Sequence, residues 1–116
     1  MYDKNNIFAK ILRGEIPCSK IYEDDFSLFF HDINPQAKIH ILGIPKIPCI
    51  DFADFISKAD ELNVLSFFKS INSVIDKLNI KETGYRLVSN SGENGGQEVP
   101  HFHIHILGGE KIRLKV

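Results

Sequence analysis

The stretch HFHIHIL, residues 101–107, places His101, His103 and His105 at every second position. Because a β-strand sends alternate side chains to opposite faces, this pattern predicts a strand with all three imidazoles on one side. The residues between the histidines are apolar and point the other way, where they can pack under a helix; they are Phe102, Ile104 and Ile106. The strand therefore separates a buried face from a face that is available for chemistry.

Three uses of the histidine face compete. Two neighbouring histidines on a strand can share a metal ion, but the outer pair lies about 13 Å apart along a straight strand, which disfavours one ion held by all three. A neutral imidazole can instead attack phosphorus or carbonyl carbon, provided that a hydrogen-bond acceptor orients its second nitrogen. The third interpretation is a solvated strand face without chemistry.

A glycine-rich segment, SGENGGQ at residues 91–97, directly precedes the histidines. Its glycines permit backbone conformations that other residues avoid, and N–H groups left free in such a bend can bind an anion. The segment therefore predicts a phosphate site beside the imidazoles. A plain hairpin loop is the alternative.

Four further strands are predicted from alternating apolar residues. A hairpin at residues 20–22 and 26–31 turns around two aspartates, and residues 38–44 form the next strand, with His40 near its centre. Residues 85–90 form another. Because the connections are short, antiparallel pairing is favoured, and we expect one antiparallel sheet of about five strands.

One short and one long helix complete the predicted α+β fold. The short helix is capped by Asn6 and ended by Gly14. The long helix starts near Ser57, and its apolar stripe is expected to lie across the sheet: Leu62, Leu65, Phe68, Ile71, Ile75 and Leu78. We expect a single domain over residues 1–116.

Composition restricts the partners of the chain. Its 116 residues include 14 basic and 15 acidic ones, for a net charge of -1. Without a block of Lys and Arg, general nucleic-acid binding is not expected, and no apolar run approaches the roughly 20 residues of a membrane span. Because the N-terminus also lacks a signal-peptide pattern, we expect a cytoplasmic protein with Cys18 and Cys49 reduced.

Three blocks of sequence resemble the histidine triad (HIT) superfamily. The stretch HFHIHIL matches the alternating signature of that superfamily. The blocks IFAKILRGEIP (7–17), FHDINPQAKIHILGIPK (30–46) and NSGENGGQEVPHFHIHILGG (90–109) resemble its Hint branch, the purine nucleoside phosphoramidases. The resemblance implies an α+β HIT domain, a homodimer, and a purine nucleotide bound without a metal or cofactor.

The resemblance also implies roles for individual residues. His103 matches the nucleophile that becomes transiently nucleotidylated. His101 and His105 match the flanking histidines, which contact the phosphate or orient the central ring, and His40 matches the fourth histidine of the site. Without the motif, His40 reads as an ordinary strand histidine with satisfied hydrogen bonds.

Four further residues match substrate-binding positions. Asp32 matches the carboxylate that holds the ribose hydroxyls, and Ile33 matches a residue that lines the base pocket. Asn90 and Gln97 match polar positions at the phosphate. The plain alternatives are turn roles, in which Asp32 accepts a backbone N–H and Asn90 is an ordinary turn residue.

Two departures from the family pattern concern the leaving group. Glu98 stands where many Hint enzymes have a serine that helps to protonate the leaving amine, and its charge would also repel acidic substrates. The C-terminal residues EKIRLKV (110–116) differ from the ends of some relatives, and their alternation is compatible with a small added strand.

The expected function is hydrolysis of the P–N bond in purine nucleoside 5'-monophosphoramidates through a nucleotidyl-histidine. One alternative is a dinucleoside polyphosphate hydrolase that uses the same nucleophile on a P–O–P bond. The other is a nucleotide-binding interaction module with vestigial activity.

Overall fold

A computed structural model describes residues 1–113. The helices are α1 (Ile7–Leu12), α2 (Phe52–Lys58) and α3 (Glu61–Leu78). The strands are β1 (Lys20–Glu23), β2 (Ser27–His31), β3 (Ile39–Pro45), β4 (Tyr85–Val88) and β5 (Ile104–Gly108).

The five strands form one sheet in the order β1-β2-β3-β5-β4, and every neighbouring pair is antiparallel. This arrangement confirms the predicted α+β class and its five-stranded antiparallel sheet. The last strand is shorter than predicted because it starts at Ile104. His101 and His103 therefore precede the ladder, where their backbone is not constrained by strand pairing.

One face of the sheet packs under α2 and α3. Phe102, Ile104 and Ile106 join the main hydrophobic core there, together with Phe55 of α2 and Phe67 of α3. The prediction that the apolar side of the histidine stretch packs under the long helix is thus confirmed. Burial of these side chains fixes which way the alternating histidines point.

The opposite face carries a second, smaller core under α1. Asn6 caps this helix by accepting the N–H of Ala9, as predicted, and Phe8 packs against Phe30 with ring centroids 5.7 Å apart. Leu42 of β3 belongs to this core and pairs with His105 of β5. Since paired residues share a face, the register places His105 beside the α1 core.

The structure has three helices rather than the two expected, because α2, which was not predicted, precedes the long helix α3. Asp51 caps α2 and Asp60 caps α3, each by accepting an N–H three residues on, so that Ser57 lies inside α2 rather than at a helix start. The predicted stripe is wrong in its first half, since Leu62 and Leu65 are 61% and 54% exposed. Its second half is confirmed for Ile71 and Ile75, which are buried together with Phe67, Ser70 and Val74.

A close backbone approach joins β2 and β3. Gly43 pairs with Phe29, whose ring lies where a Cβ on residue 43 would stand. A glycine at this position lets the ring cover the strand and stack on Phe67, with centroids 6.2 Å apart.

The predicted C-terminal strand extends to residues 114–116, which lie outside the described residues. Residues 111–113 are not in a strand. Within residues 1–113, no helix combines the length and the apolar character that crossing a bilayer requires.

Candidate active site

His101 is fully buried behind the site and has a hydrogen bond at each ring nitrogen. Its Nε2 lies 2.9 Å from the carbonyl oxygen of Pro45, and its Nδ1 lies 2.6 Å from the hydroxyl of Tyr2. Because a carbonyl oxygen can only accept, we assign the proton to Nε2, and Nδ1 accepts from the hydroxyl.

His103 is held by the backbone of His101. Its Nδ1 lies 2.6 Å from the His101 carbonyl oxygen, so Nδ1 carries the proton and Nε2 keeps a free lone pair. The ring meets the edge of Phe8 at 5.0 Å between centroids and borders the cavity described below. The arrangement is that of an oriented, neutral nucleophile.

A second chain of hydrogen bonds fixes His40 and His105. The N–H of Gln36 donates to His40 Nδ1 at 2.9 Å, so the His40 proton is on Nε2, which lies 2.9 Å from His105 Nδ1. His105 then accepts at Nδ1 and carries its own proton on Nε2. That proton is a hydrogen-bond donor beside His103, whose ring centroid is 5.1 Å from that of His105.

Asp32 lies next to this chain. Its Oδ1 accepts the N–H of Asn34 at 2.8 Å, and its Oδ2 is 3.3 Å from His40 Nε2. The carboxylate thus has the turn role that its sequence position indicates. Since an ionised carboxylate has about four acceptor sites, it can still accept further hydroxyl groups.

Burial keeps all four histidines neutral at physiological pH. Loss of solvent is the main cause that lowers their pKa values, and it lowers those of His101 and His105 to about 4. Burial also lowers the pKa of His103 and of His40, although the charge of Asp32 opposes the shift at both. Neutral imidazoles can offer both a lone pair and an N–H donor.

Asp32, His40 and His105 are also close enough to share a metal ion, with one ligand atom of each within 4.8 Å of the others. Their hydrogen bonds do not fit this use. For His40 Nε2 to bind a metal, its proton would have to move to Nδ1, where the Gln36 N–H already points at 2.9 Å. Two donors would then face each other, so the resting arrangement favours the histidine chain over a metal.

A cavity of about 670 Å³ opens in front of His103 and His105. Its apolar wall comes largely from α1 and the segment that follows it: Ile7, Phe8, Ile11, Ile16, Pro17 and Cys18. Among the described residues that line it, Asp32 and Glu98 are acidic and none is Lys or Arg. The volume lies within the usual range for small-molecule sites.

Most of the site residues expected from the sequence border this cavity: Asp32, Ile33, His40, Asn90, Glu98, His103 and His105. Ile33 stands at the rim, with its side chain 96% exposed. His101 lies behind His103 and acts on the site through its carbonyl oxygen.

Gln97 has a different position from the one expected. Its amide nitrogen donates to the carbonyl oxygens of Ile50 and Val99, and its Oε1 accepts the N–H of Gly92. The side chain therefore braces the glycine-rich segment rather than pointing at a ligand.

The expectation that free N–H groups of this segment cradle an anion is wrong for three of them. The N–H groups of Gly92, Gly96 and Gln97 all bond within the segment. The segment folds on itself because glycine at residues 92 and 96 takes a positive φ, which turns these N–H groups inward.

Sequence reasoning missed Tyr2 and the Gln36 N–H. Tyr2 is 99 residues from its partner His101, and Gln36 acts through a backbone group, so neither contact leaves a pattern in the sequence. Cys18 was assigned only a packing role, yet it borders the cavity.

The fold and the site together define a histidine-centred α+β protein with a mostly apolar ligand cavity. Residues 13–112 match the model of the HIT domain. This chain therefore belongs to the HIT family.

Named relatives span nearly the whole chain. An uncharacterized 13.2 kDa HIT-like protein of Azospirillum brasilense is 50% identical, with coverage of 96% of this chain and 91% of the relative. A 14 kDa zinc-binding protein of Zea mays is 43% identical, covering 95% and 86%. The purine nucleoside phosphoramidase of Escherichia coli K12 is 40% identical, covering 94% and 91%.

A solved structure of a histidine triad protein from Clostridium difficile has the same architecture. It is 41% identical, covers 100% of both chains and gives a TM-score of 0.87.

Proposed function

We propose that this protein is a hydrolase that cleaves the P–N bond of purine nucleoside 5'-monophosphoramidates through a nucleotidyl intermediate on His103. The observation that carries the proposal is the hydrogen bond from His103 Nδ1 to the His101 carbonyl oxygen, at 2.6 Å. It leaves Nε2 unprotonated on a neutral imidazole that borders the cavity. The similarity to the E. coli phosphoramidase supports the same reaction.

The reaction proceeds in two displacements. His103 Nε2 attacks the α-phosphorus, the P–N bond to the leaving group breaks, and the leaving nitrogen takes a proton from water. Water then attacks the phosphorus, the bond to His103 breaks, and the nucleoside monophosphate leaves. The Nε2–H of His105 stands beside His103 and is suited to bind a phosphate oxygen as charge develops there.

The remaining cavity residues have roles suited to a nucleotide. Asp32 accepts hydrogen bonds from the ribose hydroxyls through the carboxylate lone pairs that do not already bond Asn34 and His40. The exposed side chain of Ile33 covers the purine base at the rim, and Asn90 donates to the phosphate. Gln97 contributes indirectly, by holding the loop that carries Glu98 in place.

The charge of the cavity favours phosphoramidates over dinucleoside polyphosphates. Two carboxylates, the neutral His40, His103 and His105, and no Lys or Arg among its described lining residues offer little compensation for several phosphate charges. A monophosphoramidate carries a single phosphoryl group, whose charge the imidazole N–H donors can balance. The dinucleoside polyphosphate reaction stays the first alternative.

Mass spectrometry of protein quenched during turnover of adenosine 5'-phosphoramidate tests the proposal. The expected result is one added nucleotidyl group on His103, which His103→Ala abolishes together with turnover. The control is His31→Ala, which changes a histidine that also borders the cavity but to which the proposal gives no role, so the adduct on His103 should persist. Turnover without any adduct would refute the intermediate.

Two substrates separate the alternatives. Faster hydrolysis of diadenosine polyphosphate than of the phosphoramidate would favour the first alternative. If metal-free protein hydrolyses neither substrate but binds AMP, it is a nucleotide-binding interaction module.

Metal binding is a second candidate function, favoured by the proximity of Asp32, His40 and His105. The proposed hydrolase needs no metal, so we expect dialysis against a chelator to leave its turnover unchanged. Stoichiometric zinc that displaces AMP would overturn the hydrolase proposal.

A homodimer is part of the proposal. Within residues 1–113, β4 is an edge strand with Tyr85 and Leu87 each more than two-fifths exposed, and α3 exposes Leu62 and Leu65. An edge strand with apolar side chains favours pairing with a second copy. Light scattering after gel filtration is expected to give twice the chain mass, and Leu87→Lys to give the monomer.

We also propose that residues 1–116 form one HIT domain that works in the cytoplasm. Cys18 and Cys49 are both free, and burial raises the pKa of the Cys49 thiol to about 12, so that it resists oxidation. The near-neutral net charge gives no basis for nucleic-acid binding. Fractionation of cells followed by immunodetection tests the location.

A further inference from the structure

The N-terminal segment reaches the back of the site through Tyr2. The Tyr2 hydroxyl lies 2.6 Å from His101 Nδ1, and its ring meets the His101 ring edge-on with centroids 5.6 Å apart. The same hydroxyl lies close to the side chain of Asn6, which caps α1. Tyr2 is half-buried and is thus held between the first helix and His101.

The hydroxyl matters because His101 is completely buried and its two nitrogens need opposite partners. His101 Nε2–H donates a hydrogen bond to the Pro45 carbonyl oxygen, so Nδ1 of the neutral ring can only accept one. The Tyr2 hydroxyl is the donor that satisfies Nδ1. Without it, Nδ1 would be a buried acceptor without a partner, an arrangement that favours movement of the ring or entry of water.

Movement of His101 would reach His103 directly. The His101 carbonyl oxygen holds the Nδ1 proton of His103, and the Phe8 ring touches both imidazoles, with centroids 6.4 Å and 5.0 Å away. A shift at His101 therefore changes the orientation of the ring that presents Nε2 to the cavity.

We propose that Tyr2 is a positioning residue of this site, which acts through His101 to hold the His103 ring in the orientation of a nucleophile. The proposal rests on the proposed function, because it assigns His103 the attacking role. Tyr2 itself touches neither substrate nor the reacting atoms. It extends the site to a residue at the second position of the chain.

Tyr2→Phe keeps the ring and removes only the hydroxyl. We expect kcat for adenosine 5'-phosphoramidate to fall about 2- to 10-fold, the range for one neutral hydrogen bond, with KM changed less than about twofold. The matched control is Tyr22→Phe, which removes a tyrosine hydroxyl near Asp24 at the β1–β2 turn, away from the histidines. Turnover by this control should equal that of the wild type.

Nitrogen-15 NMR of the histidine side chains in the resting protein supplies a readout that is independent of turnover. In the wild type, His103 should be protonated at Nδ1 and His101 at Nε2. In Tyr2→Phe we expect both N–H signals to broaden or exchange faster with solvent, whereas in Tyr22→Phe they should remain as in the wild type. Unchanged signals and an unchanged kcat in Tyr2→Phe would overturn the proposal.

The two measurements also separate the failure of this proposal from that of the proposed function. If the wild type does not turn over the phosphoramidate, the proposed function fails, and the NMR comparison alone still decides whether Tyr2 orders His101 and His103. If the wild type is active but Tyr2→Phe matches it in both measurements, the role of Tyr2 fails and the hydrolase stands.

Discussion

Lowering the pH from 7 to 5 is expected to destabilise the wild type by about 2 kcal/mol more than the variant His101→Asn. His101 is fully buried, and burial lowers its pKa from 6.5 to about 4 in the folded protein. The unfolded chain therefore binds this proton more readily than the folded one. The stabilisation is complete above pH 6.5 and is lost as the pH falls towards 4.

The magnitude follows from the interval over which only the unfolded chain is protonated. Between pH 6.5 and pH 5 the unfolded His101 takes up its proton while the folded one stays neutral, and each pH unit costs about 1.4 kcal/mol, which gives about 2 kcal/mol in total. Solvent does not weaken this effect, because the His101 side chain is 0% exposed. Asparagine does not titrate, so this loss is absent from the variant.

Urea unfolding followed by circular dichroism at pH 7 and pH 5 measures both losses. Protonation of the carboxylates and of the other histidines contributes to both proteins and cancels in the comparison. Equal losses in wild type and variant, at equal m-values, would refute the assignment of a buried neutral His101. As a second measurement, the imidazole carbon-bound protons of His101 in the wild type should show no titration above pH 5, and a midpoint near 6.5 would refute the assignment in the same way.

Three further substitutions test other parts of the structure. Gly43→Ala forces a methyl group against the Phe29 ring and should lower the free energy of unfolding by about 1 to 3 kcal/mol in urea titrations; an unchanged midpoint would contradict the close packing. Glu98→Gln should raise kcat/KM for an acidic leaving group about threefold relative to a neutral one, and equal changes for both would exclude charge repulsion. Gln97→Ala removes the braces of the glycine-rich segment, so it should raise KM and speed amide hydrogen exchange there, and unaltered exchange would speak against a bracing role.

The strands and their faces could be predicted because a strand that is buried on one side has apolar residues at every second position. Phe102, Ile104 and Ile106 are apolar at every second position, and they enter the main core as expected. The helical stripe was harder, because α3 has apolar residues around much of its circumference. Phe67 and Ile71 pack against the sheet, whereas Leu65 stays exposed. The spacing of apolar residues alone does not predict which of them are buried.

The composition of the site could be predicted better than its mechanism of orientation. Its histidines, Asp32 and Glu98 were visible in the sequence as residue types in a motif. The hydrogen bonds that set the tautomers come from the carbonyl oxygens of Pro45 and His101 and from the N–H of Gln36. Every residue type has such a carbonyl oxygen, and every type except proline has such an N–H. Backbone partners leave no trace in composition or spacing.

Both histidine chains start from groups outside the motif and run towards the cavity. One passes from the Tyr2 hydroxyl through His101 to His103, and it ends in a lone pair. The other passes from the Gln36 N–H through His40 to His105, and it ends in a proton. In the second chain each neutral imidazole donates at one nitrogen and accepts at the other, so the Gln36 N–H sets both tautomers. In the first chain the link to His103 is the His101 backbone carbonyl oxygen, which keeps the His103 proton on Nδ1, while Tyr2 sets the tautomer and position of His101. Acceptor and donor therefore stand side by side at the cavity only while His103, His40 and His105 stay neutral, which is why the burial that lowers their pKa values matters as much as their identity.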